Sequence, residues 1–171
     1  MNISRKTALF WWTGGLIAFA IVVAMSLPLA VDGVAGGITD HQGAATAERV
    51  NAIHAAWQDA GVLDLARWAM IGDLIFIAIY SAGAIMAGLY YRSVARPMVR
   101  TLGNVALVAG ALFLITDMTE TVLQLYQLIT MRGNDGLAMT AALCGPPEIA
   151  SFIVSAIAVL AALVVDRRDL A

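Results

Sequence analysis

Hydrophobic residues run along this chain in four long stretches, which are separated by shorter polar segments. The first stretch carries no charged residue over positions 7–31, and the last carries none over positions 149–165. Uncharged apolar stretches of about 18 residues or more are typical of helices that cross a membrane. We therefore predict four transmembrane helices, at about residues 7–31, 62–91, 98–130 and 137–165.

The segment at residues 44–60 has a different pattern and is too polar to cross a membrane. Val50, Ile53 and Trp57 recur at intervals of three and four residues, which places them on one face of a helix. Polar side chains occupy the other side, namely Glu48, Asn51, Gln58 and Asp59. We predict an interfacial helix in the first outward-facing loop, lying over the mouth of the bundle. The whole chain, residues 1–171, is then a single all-α integral membrane domain, with its four spans in an up-down bundle.

Composition supports the membrane assignment and excludes other classes of protein. The chain is 61% hydrophobic and 13% charged, whereas a soluble domain is about 25% charged. A net charge of −2 is unsuited to binding nucleic acid, which needs clustered positive charge. The single cysteine, Cys144, excludes an intramolecular disulfide and a multi-cysteine metal cluster. We expect the lipid bilayer to be the main surrounding of this protein.

The distribution of positive charges predicts the orientation of the chain in the membrane. With four spans, most of the lysine and arginine residues fall on one side of the bilayer. They are Arg5, Lys6, Arg92, Arg96, Arg100, Arg167 and Arg168. Positive residues are enriched on the cytoplasmic side. We therefore expect both termini in the cytoplasm, with the protein in the inner membrane of a bacterium and its first loop facing outward.

Four acidic residues lie well inside the predicted spans: Asp73, Asp117, Glu120 and Glu148. A charged residue at the centre of a bilayer costs about 2.5–3.5 kcal/mol on insertion scales, so these groups need partners, water or a proton. At a rise of about 1.5 Å per residue, each lies roughly 15–19 Å from the outer end of its helix. We therefore expect the four acids to meet at nearly one depth.

The helical faces around these acids predict a polar pocket that opens to the outside. Residues three or four positions apart share a face of a helix, and the acids have polar neighbours at those intervals. The stripes are Asp117, Glu120, Thr121, Gln124 and Gln127 on span three, Cys144, Glu148, Ser151 and Ser155 on span four, and Asp73, Tyr80 and Ala84 on span two. Pro146 and Pro147 precede Glu148, and each lacks the N–H that would bond the carbonyl four residues earlier. Irregular backbone of this kind is found at membrane depth where it is buried or lines a cavity.

Our leading hypothesis is that this pocket binds an amphiphilic or cationic small ligand, a lipid or an ion. The protein would do so alone, as a carrier, as a homo-oligomer or as an accessory subunit of a larger membrane complex. The candidate ligand-binding residues are Asp73, Tyr80, Asp117, Glu120, Gln124 and Glu148. One alternative is a membrane enzyme that acts on a lipid or isoprenoid, with Asp117 and Glu120 as an acid–base pair. Another is a structural subunit whose acids form a satisfied polar core.

The two histidines leave the question of a metal open. His54 could cap the pocket or join the acids as a metal ligand, but a histidine beside an apolar helix face is also often just partly buried. His41 lies in a glycine-rich stretch, where we expect it to be solvated. The chain has no Glu-x-x-His pair of the kind that diiron bundles use. The sequence therefore identifies no cofactor and no metal.

Overall fold

The computed structural model describes residues 3–168, with side chains as far as Asp166, and these residues are helical apart from short connections. The helices are α1 (Arg5–Ser26), α2 (Ile38–Gln42), α3 (Ala47–Asp59), α4 (Leu63–Arg92), α5 (Pro97–Thr130) and α6 (Asp135–Arg168), with a 3₁₀ turn at Leu27–Leu29 after α1. Within residues 3–168 there is no β-strand. The prediction of an all-α chain is confirmed.

Four of these helices are long and apolar enough to cross a membrane. They are Arg5–Leu29, Leu63–Arg92, Pro97–Thr130 and Asp135–Asp166, and all four coincide with predicted spans. Their boundaries follow local chemistry. The Ser4 side chain caps the start of α1 by accepting from the Thr7 N–H, and Pro97 occupies the first turn of α5, where its missing N–H does no harm.

Successive spans pack side by side through small residues. The α1 helix packs along α4, α4 along α5, and α5 along α6, whereas α1 and α6 approach each other only sparsely. A Cβ atom at Gly83 of α4 would collide with the backbone of Trp12 in α1, and one at Gly103 of α5 would collide with α4. Glycine at these crossings lets the helix backbones come close, as is common in membrane bundles.

The two ends of the bundle differ in their chemistry. At one end, which we call the arginine end, Asp166 of α6 accepts from Arg96 at 2.8 Å and lies 3.5 Å from Arg5. This contact ties the start of α1 and the start of α5 to the end of α6. At the other end, which we call the histidine end, α2 and α3 cover the bundle and bring His41 against His54.

The α3 helix is present where an amphipathic helix was predicted, and its apolar face is buried. Val50, Ile53 and Trp57 are buried, and the polar residues opposite them are exposed. The indole N–H of Trp57 donates to the Leu29 carbonyl at 2.9 Å. The start of α6 holds α3 as well, because Asp135 accepts from the Ala47 N–H at 2.6 Å. The α3 helix thus forms a roof on the histidine end.

Candidate functional site

The four acids predicted to converge do lie close to one another, between α4, α5 and α6. The Thr121 hydroxyl on α5 lies 3.0 Å from Asp73 Oδ2 and 3.3 Å from Asp117 Oδ1. Asp117 is also within electrostatic range of Asp73 and Glu148. A hydroxyl has one proton to donate, so Thr121 satisfies only one of these two carboxylates at a time.

Glu120 and Glu148 form a second pair beside the first. Glu120 is fully buried, and the Gln124 amide donates to its Oε1 at 3.1 Å. Its Oε2 faces α6 next to Gly145, where a Cβ atom would stand 3.4 Å away. The carboxyl groups of Glu120 and Glu148 lie against each other. Neither Oε2 atom receives a hydrogen bond from a donor in the described part of the chain.

Nothing in residues 3–166 neutralises these acids with a positive side chain. The salt bridges of the described chain join Arg5 and Arg96 to Asp166, Arg49 to Asp40, and Arg67 to Asp64. Arg67, the cation nearest to the acids in sequence, is thus committed to Asp64 at 2.7 Å. Two buried acceptors of the acid cluster thus lack a donor among the described residues, which is uncommon in a protein interior.

A cavity of about 500 Å³ lies beside the acids, toward the histidine end. Asp73, Asp117, Gln124 and Glu148 supply polar groups to its wall, and most of the remaining lining residues are apolar. Cavities of roughly 300–1,000 Å³ with mainly apolar walls and a few converging polar groups are typical of small-molecule sites. The dimensions and the lining both suit a small amphiphilic molecule.

Aromatic rings close the bundle on the arginine side of the acids. We call Phe19, Phe76, Tyr80, Phe113 and Phe152 the aromatic layer. Their neighbouring ring centroids are between 4.7 and 6.1 Å apart. Phe76, Phe113 and Phe152 each lie about one helical turn from an acid on the same helix. Phe19 and Phe76 of this layer line the cavity and form its floor.

The cavity opens to the side, between α1 and α6. Both helices contribute lining residues, including Val23 and Leu27 near the end of α1 and Ile149 on α6, and these three side chains are exposed. The two helices meet deeper in the bundle, where the rings of Phe19 and Phe152 are 5.1 Å apart. The opening is thus bordered by apolar side chains of two spans and by the loop before α2.

Two of the six predicted ligand-binding residues lie outside this cavity lining. Tyr80 belongs to the aromatic layer, and its hydroxyl contacts Ser155 Oγ at 2.8 Å and donates to the Phe152 carbonyl at 3.1 Å. Glu120 lies behind the wall, where it contacts Gln124 and Glu148. The other four predicted residues, Asp73, Asp117, Gln124 and Glu148, line the cavity.

The expectation that His41 is solvated is wrong, because its side chain is buried against that of His54. The two Nε2 atoms are 3.0 Å apart, and both residues are 1% exposed. Burial, helped by the neighbouring His54, lowers the pKa of His41 to about 3. Burial, followed by the charge of Arg67, lowers the pKa of His54 to about 4. Both rings are therefore neutral at physiological pH, with one Nε2 donating to the other.

The sequence contained a signal for His54 but none for His41. His54 falls at position i+4 from Val50, between Ile53 and Trp57 on the buried face of α3. His41 is placed by the turn at Gly37, which has a φ of 57° and precedes α2. The Gln124 side chain lies next to the His41 ring, so the histidine pair adjoins the acid cluster.

Metal binding by several side chains finds no support in the described residues. Within residues 3–166, no group of three or more histidine, cysteine or acidic side chains is arranged to hold a metal ion. Comparison of the chain with protein-family models, with curated proteins and with solved structures finds no match. The functional assignment therefore depends on the cavity and on the acids that line it.

Proposed function

We propose that this membrane protein binds an amphiphilic small molecule with a positively charged group, and that the acids hold that group at the base of the cavity. The observation that carries the proposal is the combination of mainly apolar walls with carboxylates that have no cationic partner in the described chain. The protein acts in this way alone, as a carrier, as a homo-oligomer or as an accessory subunit of a larger membrane complex.

The charge of the cluster supports a cationic ligand over a neutral or anionic one. Asp73, Asp117 and Glu148 reach the cavity wall within a region of low polarity. Opposite charges attract more strongly there than in water, and a buried carboxylate without a partner is costly. A ligand cation would supply the missing partner.

The shape of the cavity supports an amphiphile over a simple ion. Phe19 and Phe76 form its floor, and aromatic faces attract organic cations. Its sides are formed largely by aliphatic residues of α1 and α4, which would cover the apolar part of the ligand. Because the opening lies between two spans, such a molecule could enter from the lipid as well as from water.

We further propose the orientation of the protein in the membrane. Arg5, Arg92, Arg96 and Arg100 lie near the arginine end, and positive residues favour the cytoplasmic side. Both termini would then be cytoplasmic in an inner membrane of bacterial type, and the four spans would form an up-down bundle. The cavity would face outward, with α3 as an interfacial helix above it.

The proposal is tested by equilibrium binding of two probes to the protein in phosphatidylcholine nanodiscs. Tetraphenylphosphonium is an apolar cation, and triphenylphosphine oxide is a neutral molecule of related shape. We expect saturable binding of the cation, weakened about tenfold or more by Asp73→Asn or by Asp117→Asn, which corresponds to about 1.4 kcal/mol. Binding of the neutral probe should be the same in these variants as in the wild type.

The matched control is Asp59→Asn, which makes the same chemical change on the exposed side of α3. It should leave both affinities unchanged. Equal affinity of the wild type and Asp117→Asn for the cation would contradict the proposal. Chemical conversion of a lipid recovered from the wild type, but not from Asp117→Asn, would favour the acid–base enzyme instead.

A further inference from the structure

The pair formed by Glu120 and Glu148 differs from the other acids in its surroundings. Asp73 and Asp117 share the Thr121 hydroxyl as a donor. Glu120 Oε2 and Glu148 Oε2 are both buried, and neither receives a hydrogen bond from a donor in residues 3–166. The two carboxyl groups nevertheless lie against each other.

Two carboxyl groups in contact in a buried site do not both stay ionised, because the two negative charges would repel each other strongly. A single proton resolves the contact, since the protonated group donates to the ionised one. That hydrogen bond would supply the donor that both Oε2 atoms lack. The Gln124 amide already donates to Glu120 Oε1, which leaves Oε2 as the free acceptor.

We infer that Glu120 and Glu148 hold one proton between them, and that a cation entering the cavity displaces this proton to water. The inference depends on the proposed function, because it describes how the same site responds to its ligand. In the exchange an O–H bond of the pair breaks, and the proton passes to water or buffer. The pair changes from one negative charge to two as one positive charge enters, so the charge of the site is conserved.

Other titratable groups face the pair, and none of them supplies a positive charge at neutral pH. Asp73 faces it from α4, Asp117 lies on the same helix as Glu120, and Cys144 lies on α6 with Glu148. From α2, neutral His41 lies next to Gln124. The α1 residues in the cavity wall are not titratable. The pair therefore has no cationic neighbour among these groups that would hold both of its carboxyl groups ionised.

The experiment measures proton release when tetraphenylphosphonium binds to the protein in nanodiscs. Titration calorimetry in two buffers with different ionisation enthalpies gives the number of protons released per cation. We expect about one proton, and an affinity that rises about tenfold per pH unit while the pair remains protonated. In Glu120→Gln the pair can no longer exchange a proton, so release should fall to near zero. Glu48→Gln, on the exposed side of α3, should release as many protons as the wild type.

Infrared spectroscopy at neutral pH tests the shared proton without any ligand. The carbonyl stretch of a protonated carboxylic acid should be present in the wild type and in Glu48→Gln, and it should be reduced in Glu120→Gln by the contribution of one carboxylic acid. If Glu120→Gln does not fold, Glu148→Gln tests the same pair. Absence of this band from the wild type, or cation binding without proton release, overturns the inference while the proposed function stands. Failure of the cation to bind while the band is present overturns the proposed function and the exchange, and leaves only the protonated pair.

Discussion

The half of the bundle at the arginine end and the half at the histidine end are built on different principles. Toward the arginine end, Gly83 and Gly103 let helix backbones touch, and Asp166 joins three helices through Arg5 and Arg96. Toward the histidine end, a cavity with acids in its wall lies beside a second apolar core, to which α3 and α4 contribute. The aromatic layer is the boundary between the two halves.

This difference indicates where stability and function reside. Close-packed helices are stabilised by many short contacts, whereas unpartnered acids beside a cavity weaken the fold. Proteins tolerate such weakness at binding sites because other parts of the structure compensate for it. We therefore expect substitutions in the arginine-end half to act mainly on stability, and those around the acids to act mainly on binding.

The largest effect is expected from Gly83→Ala, which tests the close packing of the arginine-end half. The new Cβ would collide with the backbone of Trp12, and backbone atoms cannot turn aside as a side chain can. Overpacking costs about 1–3 kcal/mol, sometimes more, and this variant should lie at the upper end of that range. The measurement is unfolding of the solubilised protein by denaturing detergent or by heat.

The control for this prediction is Gly72→Ala on the same helix, in the histidine-end half. There the new Cβ would be 3.5 Å from Val22 Cγ2, which is an ordinary contact, and alanine is favoured over glycine in a helix by about 1 kcal/mol. Gly72→Ala should therefore leave stability unchanged or raise it. If the two variants lose equal stability, the proposed difference in packing between the halves is wrong.

Thr121→Val is expected to have a moderate effect and tests the acid cluster itself. Valine has nearly the shape of threonine but lacks the hydroxyl that reaches Asp73 and Asp117. Loss of a donor to buried acceptors costs about 1–3 kcal/mol, and we expect about 1 kcal/mol because the cavity admits water to Asp73 and Asp117. The same unfolding measurement applies, together with tetraphenylphosphonium binding.

Thr119→Val serves as the control, because the Thr119 hydroxyl donates to the carbonyl of Ile115 in its own helix. It should change neither stability nor binding measurably. An equal loss of stability in both variants would mean that Thr121 acts as an ordinary helix residue, and the description of the acids as a site short of donors would fail.

The four long apolar helices and the convergence of the acids were predictable because both follow from local rules. Hydropathy depends on composition along a single segment, and depth depends on a fixed rise per residue. Asp73, Asp117, Glu120 and Glu148 therefore converge as predicted. The roof helix was predictable for the same reason, since the spacing of Val50, Ile53 and Trp57 places all three on one face of α3.

The limits of the cavity were not predictable, because they depend on contacts between distant segments. Tyr80 shares a helix face with Asp73 but lies two turns farther along, beyond the ring of Phe76 that ends the cavity. Glu120 shares a stripe with Asp117, yet its free oxygen faces Gly145 of α6. The burial of His41 depends on how a glycine-rich loop folds onto α3, for which periodicity gives no signal.

Acidification is expected to act on the roof through the histidine pair. His41 and His54 have pKa values of about 3 and about 4 in the folded protein, below the model-peptide value of about 6.5 that applies when the chain unfolds. Between these values the unfolded chain binds more protons than the folded one, so stability falls as pH decreases from about 6.5 toward 4. Above about pH 6.5 both states are neutral at these residues, and the pair should contribute no pH dependence.

Unfolding measured at about pH 7 and about pH 5 should show the loss of stability in the wild type. The loss should be smaller in His41→Gln/His54→Gln, where glutamine keeps a donor and an acceptor. Because the chain has only these two histidines, an unchanged pH dependence in the double variant would mean that the pair does not hold the roof on the bundle.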